Sequence, residues 1–118
     1  EVAAELRGRM NAVLAERGVH WAVYGTFSGF HFFLNPENRA IEPRTFDPCS
    51  VHWKELKTKP AKASNALDLA LLVEGVDISG WPGGLTSAAH GQDDVDQTID
   101  RFARAIDRVT AEGAAAAA

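Results

Sequence analysis

The chain has 118 residues, of which 46% are hydrophobic and 24% are charged, and its formal net charge at pH 7 is −4. This length suits one domain with one core and excludes two. The acidic balance argues against nucleic acid as a partner, because phosphate backbones are bound through basic surfaces. The apolar runs are shorter than the roughly 18 to 20 residues that cross a bilayer, so we expect no membrane segment.

The ends and the cysteine content bear on the origin of the chain. Cys49 is the single cysteine, so no intrachain disulfide can form, which suits a cytoplasmic location. The chain opens at Glu1 inside a helical pattern and closes in an alanine tail, residues 114–118. We interpret both ends as signs of a piece of a longer protein.

The first part of the chain predicts a helix followed by two strands. Apolar residues recur at the three-and-four spacing of an amphipathic helix, and Gly18 stands where a left-handed C-terminal cap is expected. Residues 19–24 and 30–34 are rich in β-branched and aromatic side chains, and a Gly-containing turn joins them. These two segments are typical of an antiparallel pair of strands. The second strand is apolar on both sides except for His31, which predicts that both of its faces are covered.

Residues 35–63 form a long Pro-rich stretch that we interpret as a loop or insertion. The segment between Pro48 and Pro60 is long enough to contain one short helix. The lysines of the chain all lie here and read as a solvated charged run: Lys54, Lys57, Lys59 and Lys62. A loop of this length inside a small domain is uncommon and tends to be functional or mobile.

The last part predicts two helices and two short strands. Ser64 or Asn65 can cap a helix over residues 66–74, and Gly75 ends it. This helix is apolar on nearly every side, which predicts deep burial. Short strands are expected at 76–78 and 85–88. The final helix carries one apolar stripe: Val95, Ile99, Phe102, Ile106 and Val109. The element order predicts an α+β fold, with a small, largely antiparallel sheet and helices packed on one face.

Three stretches near the C-terminus together resemble a known family. They are Glu74–Ile78, Leu85–His90 and Asp93–Thr98, separated by a Gly-rich turn. This order resembles the C-terminal small domain of class III pyridoxal-phosphate (PLP) dependent aminotransferases, and of glutamate-1-semialdehyde 2,1-aminomutases in particular. Residues 1–113 would then be that domain, with the fold of the C-terminal domain of fold-type I PLP enzymes.

The resemblance implies an enzyme whose catalytic parts lie elsewhere. In that family the Schiff-base lysine and the PLP site belong to a large domain, so no catalytic or cofactor-binding residue is expected in this chain, and the isolated chain should be inactive. The implied partners are that large domain, a second copy in a homodimer, and a small-molecule amino donor and acceptor. The amino group would move between an amino acid or amine and a carbonyl substrate.

Two positions depart from the family pattern. Trp81-Pro82 stands where aminomutases have Phe-Glu, which argues against the aminomutase reaction itself. Gly91 stands where the family commonly has a threonine that caps the last helix, and glycine is a tolerated cap. The substrate therefore stays open.

The residues best suited to face a substrate or a domain interface lie in and after the Gly-rich turn. They are Trp81, Gly83, Gly84, Ser87 and His90. Glycines let backbone approach a ligand, and tryptophan offers a large apolar face with one donor. A plain turn packed on the large domain is the alternative for Trp81, and a turn-fixing role is the alternative for His90. No His, Cys or carboxylate cluster has metal-ligand spacing, so no metal is expected.

A different class of function is also open, namely a stand-alone α+β interaction or regulatory domain without catalytic activity. Phe30, Phe32 and Phe33 would then form an exposed partner surface. A small domain separated from its parent should instead show an apolar patch where the large domain sits. An aminotransferase domain within a multidomain assembly-line enzyme is a third possibility.

Overall fold

The computed structural model describes residues 2–78, 83–86 and 90–113. Its helices are α1 (Val2–Glu16), α2 (Trp53–Lys57), α3 (Ala61–Val73) and α4 (Gln92–Ala111). Its strands are β1 (Ala22–Tyr24), β2 (Gly29–Phe33) and β3 (Gly83–Leu85). Within this described part, no helix is long and apolar enough to cross a membrane.

The strands form one antiparallel sheet in the order β1-β2-β3. Tyr24 pairs with His31 across the first two strands, and His31 pairs with Gly83 across the second and third. The α+β fold with a small antiparallel sheet is therefore confirmed. The predicted strand at 76–78 is wrong, because these residues form an irregular connection. The last strand lies at Gly83–Leu85 instead of 85–88, of which residues 87 and 88 fall outside the described part.

The inner face of the sheet forms the core with the helices. Phe30 and Phe32 meet edge to face at 5.9 Å between ring centroids, and Phe32 stacks on Phe102 of α4 at 5.8 Å. Phe32 and Phe102 are fully buried. The predicted stripe of α4 is buried along its whole length. The core position of the Phe-rich strand contradicts the alternative in which these rings form an exposed partner surface.

Glycine caps end α1 and α3 as the sequence predicts. Gly18 has φ +66°, and the amide of Val19 donates to the carbonyl of Leu14 at 3.0 Å. Gly75 has φ +87°, and the amide of Val76 donates to the carbonyl of Leu71 at 2.8 Å. A residue in the left-handed region lets the last carbonyls of a helix find donors, and glycine adopts it without a steric cost.

Helix α3 differs from its prediction in length and in burial. It begins at Ala61, with Pro60 at the N-cap. Proline suits the start of a helix because it has no backbone N–H that would be left without an acceptor there. Only one side packs on α4, and three apolar residues of the other side are exposed: Leu69, Leu72 and Val73. The expectation of deep burial on every side is wrong for the chain as described.

The Pro-rich stretch covers the outer face of the sheet. Phe46 stacks on Phe33 at 4.8 Å between ring centroids and lies tilted against Tyr24 at 6.4 Å. Asn35 holds the start of this segment, since its side-chain amide donates to the carbonyls of His20 and Arg39 at 2.8 and 2.7 Å. The stretch contains the expected short helix, α2, and two single-turn 3₁₀ segments, Pro43–Thr45 and Pro48–Ser50.

Strand β1 is at the edge of the sheet, and a buried side chain of α1 satisfies its outer backbone groups. The side-chain amide of Asn11 donates to the carbonyl of Val23 at 2.9 Å, and its oxygen accepts from the amide of Val23 at 2.7 Å. Bonding alternates from side to side along an antiparallel strand, so these groups of Val23 face away from β2. Asn11 thus locks α1 to the sheet.

We predict that Asn11→Ala lowers the free energy of unfolding by about 1–3 kcal/mol, because two buried backbone groups lose their partner. Urea unfolding followed by circular dichroism measures the change. The matched control is Asn65→Ala on the exposed side of α3, expected to stay within about 0.5 kcal/mol of the parent chain. Equal effects of the two changes would contradict the role of Asn11.

Candidate functional site

The two glycines predicted to face a ligand lie in β3, pressed against β2. A Cβ on Gly83 would come within 2.5 Å of the carbonyl oxygen of Phe30, and one on Gly84 within 2.7 Å of the Phe30 ring. Both glycines are buried. The absence of a side chain at these positions therefore serves the close approach of the two strands. Their contact with a substrate stays a prediction.

His90 is exposed at the rim of a small cavity between β3 and the N-terminal ends of α1 and α4. The cavity has a volume of about 140 Å³. Its apolar walls include Leu6, Phe30 and Ile78, and its polar lining includes Thr86 and the carboxylates described next. It is smaller than the roughly 300–1,000 Å³ of typical small-molecule sites. On its own the cavity could serve as one wall of a site.

Two carboxylates that the sequence analysis did not single out line the same cavity, Asp77 and Asp94. Asp94 accepts a hydrogen bond from the amide of Gly91 at 2.9 Å, so its carboxylate is fixed beside the positive end of α4. The acidic start of the last helix was visible in the sequence. That Asp94 lines the same cavity as His90 and Asp77 was not visible there, because it depends on the path of the irregular connection after α3.

The other two predicted residues, Trp81 and Ser87, lie outside the described residues. The structure thus places three of the five candidates. Gly83 and Gly84 belong to β3, and His90 stands just before α4. Among the described residues that line the cavity, His90 is joined by Leu85 and Thr86, whereas neither glycine is part of the lining.

The lysines show one departure from the predicted solvated run. Lys54, Lys57 and Lys62 are exposed, as expected. Lys59 is half-buried, and its ammonium donates to the carbonyl of Phe32 and, at 3.5 Å, to that of Leu56. Burial lowers the pKa of Lys59. This burial was not visible in the sequence, because Lys59 follows a polar helix and precedes a proline.

The described residues do not fit a PLP site. The described residues that line the cavity beside His90 include neither lysine nor arginine, so they offer no amine for a Schiff base and no cation for the phosphate. Lys59, the one half-buried lysine described, is engaged with two backbone carbonyls. We therefore derive no chemical step through PLP in this chain. Among the described residues, no group of three or more His, Cys, Asp or Glu side chains could hold a metal ion.

The fold is similar to part of known transaminases. A solved structure described as a transaminase with PLP bound matches 95% of this chain, with a TM-score of 0.71 and 26% sequence identity. An omega-transaminase from Sphaerobacter thermophilus matches 92%, with a TM-score of 0.68 and 26% identity.

The chain spans only 23% of the length of each of these two structures. No protein-family model and no curated protein matches the sequence. The similarity therefore concerns a small α+β domain of a transaminase and supports an origin in such an enzyme.

We predict that Gly83→Ala lowers the free energy of unfolding by about 1–3 kcal/mol, because the added methyl group collides with the backbone of β2. The control is Gly8→Ala in α1, where a Cβ meets nothing within 4 Å, and where alanine should raise stability by up to about 1 kcal/mol. Thermal unfolding of both variants checks the sign of each change. If Gly83→Ala left the free energy of unfolding unchanged, the close approach of β3 to β2 could not be the reason for glycine at this position.

Proposed function

We propose that this chain is the C-terminal small domain of a PLP-dependent class III aminotransferase related to glutamate-1-semialdehyde aminomutases. It provides a wall on the substrate side and a surface that closes over the large domain. The parent enzyme moves an amino group between an amino acid or amine and a carbonyl substrate. The PLP, its Schiff-base lysine and its phosphate contacts belong to the large domain, so the isolated chain is inactive.

The observation that carries this proposal is the match to a PLP-bound transaminase over 95% of this chain. It agrees with the three sequence stretches that resemble the end of class III enzymes. The buried Phe-rich strand removes the main support for a stand-alone interaction domain. We further propose that the parent is a cytoplasmic homodimer.

The wall is built around the cavity beside His90. At about 140 Å³ the cavity is too small to enclose an amino acid and its carbonyl partner, so a second surface has to complete the site. Trp81, Gly83, Gly84, Ser87 and His90 are the proposed substrate-side or interface residues. Closure of one domain over another excludes water from the reaction, which is what such a wall contributes.

The exposed side of α3 is the proposed contact with the large domain. Leu69 is 64% exposed, Leu72 54% and Val73 66%, and they lie within about one turn of one another. The same, C-terminal end of the helix is held to α4 by its C-cap residue Glu74, whose carboxylate accepts hydrogen bonds from Arg104 and Arg108 at 2.7 and 2.8 Å. A fixed helix with an uncovered apolar side suits a rigid interface.

Labelling tests the location of the catalytic lysine. The full-length gene product, reduced with borohydride in the presence of PLP, should gain one phosphopyridoxyl group on a lysine outside residues 1–118. Intact mass and peptide mapping measure the gain. The 118-residue chain treated in the same way should gain none and should not transaminate. Labelling of Lys59, or transamination by the short chain, would overturn the proposal.

A substitution on α3 tests the interface. Leu72→Gln should change the unfolding free energy of the 118-residue chain by less than about 0.5 kcal/mol, because the side chain is already solvated. In the full-length protein, Leu72→Gln should lower the free energy of unfolding by about 1–3 kcal/mol, because an apolar contact between domains is lost. Leu71→Gln, at the buried neighbour, should destabilise both forms. Equal effects of Leu72→Gln in the two forms would exclude the proposed contact.

A further inference from the structure

The outer face of the sheet carries a second cleft, on the side away from the helical core. It has a volume of about 500 Å³, within the range of small-molecule sites. Two of its walls are rings of the sheet, Tyr24 and His31. The other walls come from the end of α2 and the residues after it, namely Leu56, Lys57 and Lys59. We call it the outer cleft.

Aromatic rings form one side of the outer cleft. Tyr24 and His31 stack with 5.3 Å between ring centroids and 30° between ring planes. Burial, and secondarily the charge of Lys59, lowers the pKa of His31, which favours the neutral form of its imidazole. Together with Leu56, these rings offer an apolar surface suited to the flat face of another ring.

The opposite side of the outer cleft is positively charged. Lys57 is exposed and Lys59 is half-buried, and the five described lining residues include no carboxylate. The adjacent Glu55 is paired with Arg39 through two hydrogen bonds of 2.6 and 3.0 Å, so its charge is already compensated. An anion entering the cleft would meet two ammonium groups beside an apolar surface.

Contacts within the Pro-rich segment fix the walls in place before any ligand binds. The ammonium of Lys59 ties the end of α2 to β2 through the carbonyl of Phe32. The hydroxyl of Thr58 donates to the carbonyl of Lys54 at 2.6 Å and closes the last turn of α2. A preformed site loses less conformational entropy when a ligand binds.

We propose that the outer cleft binds a small aromatic carboxylate, with its carboxylate at Lys57 and Lys59 and its ring against Tyr24, His31 and Leu56. This site is separate from the cavity beside His90, since the two have no described lining residue in common. It gives the Pro-rich segment a role in ligand binding that does not depend on transamination.

Saturation-transfer NMR with benzoate as the probe tests the proposal on the full-length protein. We expect saturable binding with a dissociation constant of about 1 mM or tighter. Lys57→Gln should weaken it about fivefold or more, because a charge-assisted contact is lost. The matched control, Lys62→Gln, removes an equally exposed lysine outside the cleft and should leave binding unchanged. Equal affinities of these two variants would overturn the proposal.

Probe chemistry separates the two halves of the site. Benzyl alcohol keeps the ring without the charge, and acetate keeps the charge without the ring, so each should bind about fivefold or more weakly than benzoate. Tyr24→Leu should weaken the binding of benzoate and leave the binding of acetate unchanged. Benzyl alcohol binding as tightly as benzoate, or the absence of saturable binding by benzoate, would refute an anion site in the outer cleft.

Discussion

The burial of one face of β2 against α4 is the constraint on which the rest of the structure depends. A sheet of three short strands cannot form a core by itself, so its inner rings need a helix as cover. Phe32 and Phe102 provide that contact, and both are fully buried. Helices α1 and α3 then pack on α4. The glycines of β3 follow from the same constraint, because the backbone carbonyl of Phe30 leaves no room for a side chain at Gly83 and the Phe30 ring leaves none at Gly84.

Short strands leave backbone groups at their edges, and two side chains satisfy them. Asn11 pairs with Val23 on the outer edge of β1. Lys59 donates to the carbonyl of Phe32, at the residue where β2 extends past its pairing with β3. Buried backbone groups are nearly always paired, so such side chains are expected wherever a ladder is short. In the second case the same contact also shapes the outer cleft.

The distribution of apolar and polar surface connects the fold to its proposed role. The core is complete around β2 and α4, whereas α3 exposes leucine and valine on one side. The cavity beside His90 has chemically useful groups but little volume. These properties support the proposed role, in which the domain positions and covers a reaction whose reactive groups belong to a separate large domain. The outer cleft, by contrast, has the volume and charge of a site of its own.

The sequence by itself determined the α+β class, the amphipathic helices, their glycine caps and the burial of the Phe-rich strand. These features depend on local spacing and on backbone conformations that few residues adopt. The tertiary structure decided where β3 lies, because Gly83 and Gly84 carry no apolar pattern, and only their pairing with β2 shows the close approach to Phe30 that glycine permits. It also decided that one side of α3 is uncovered and that Lys59 is half-buried, because solvent exposure depends on which distant elements pack against a residue.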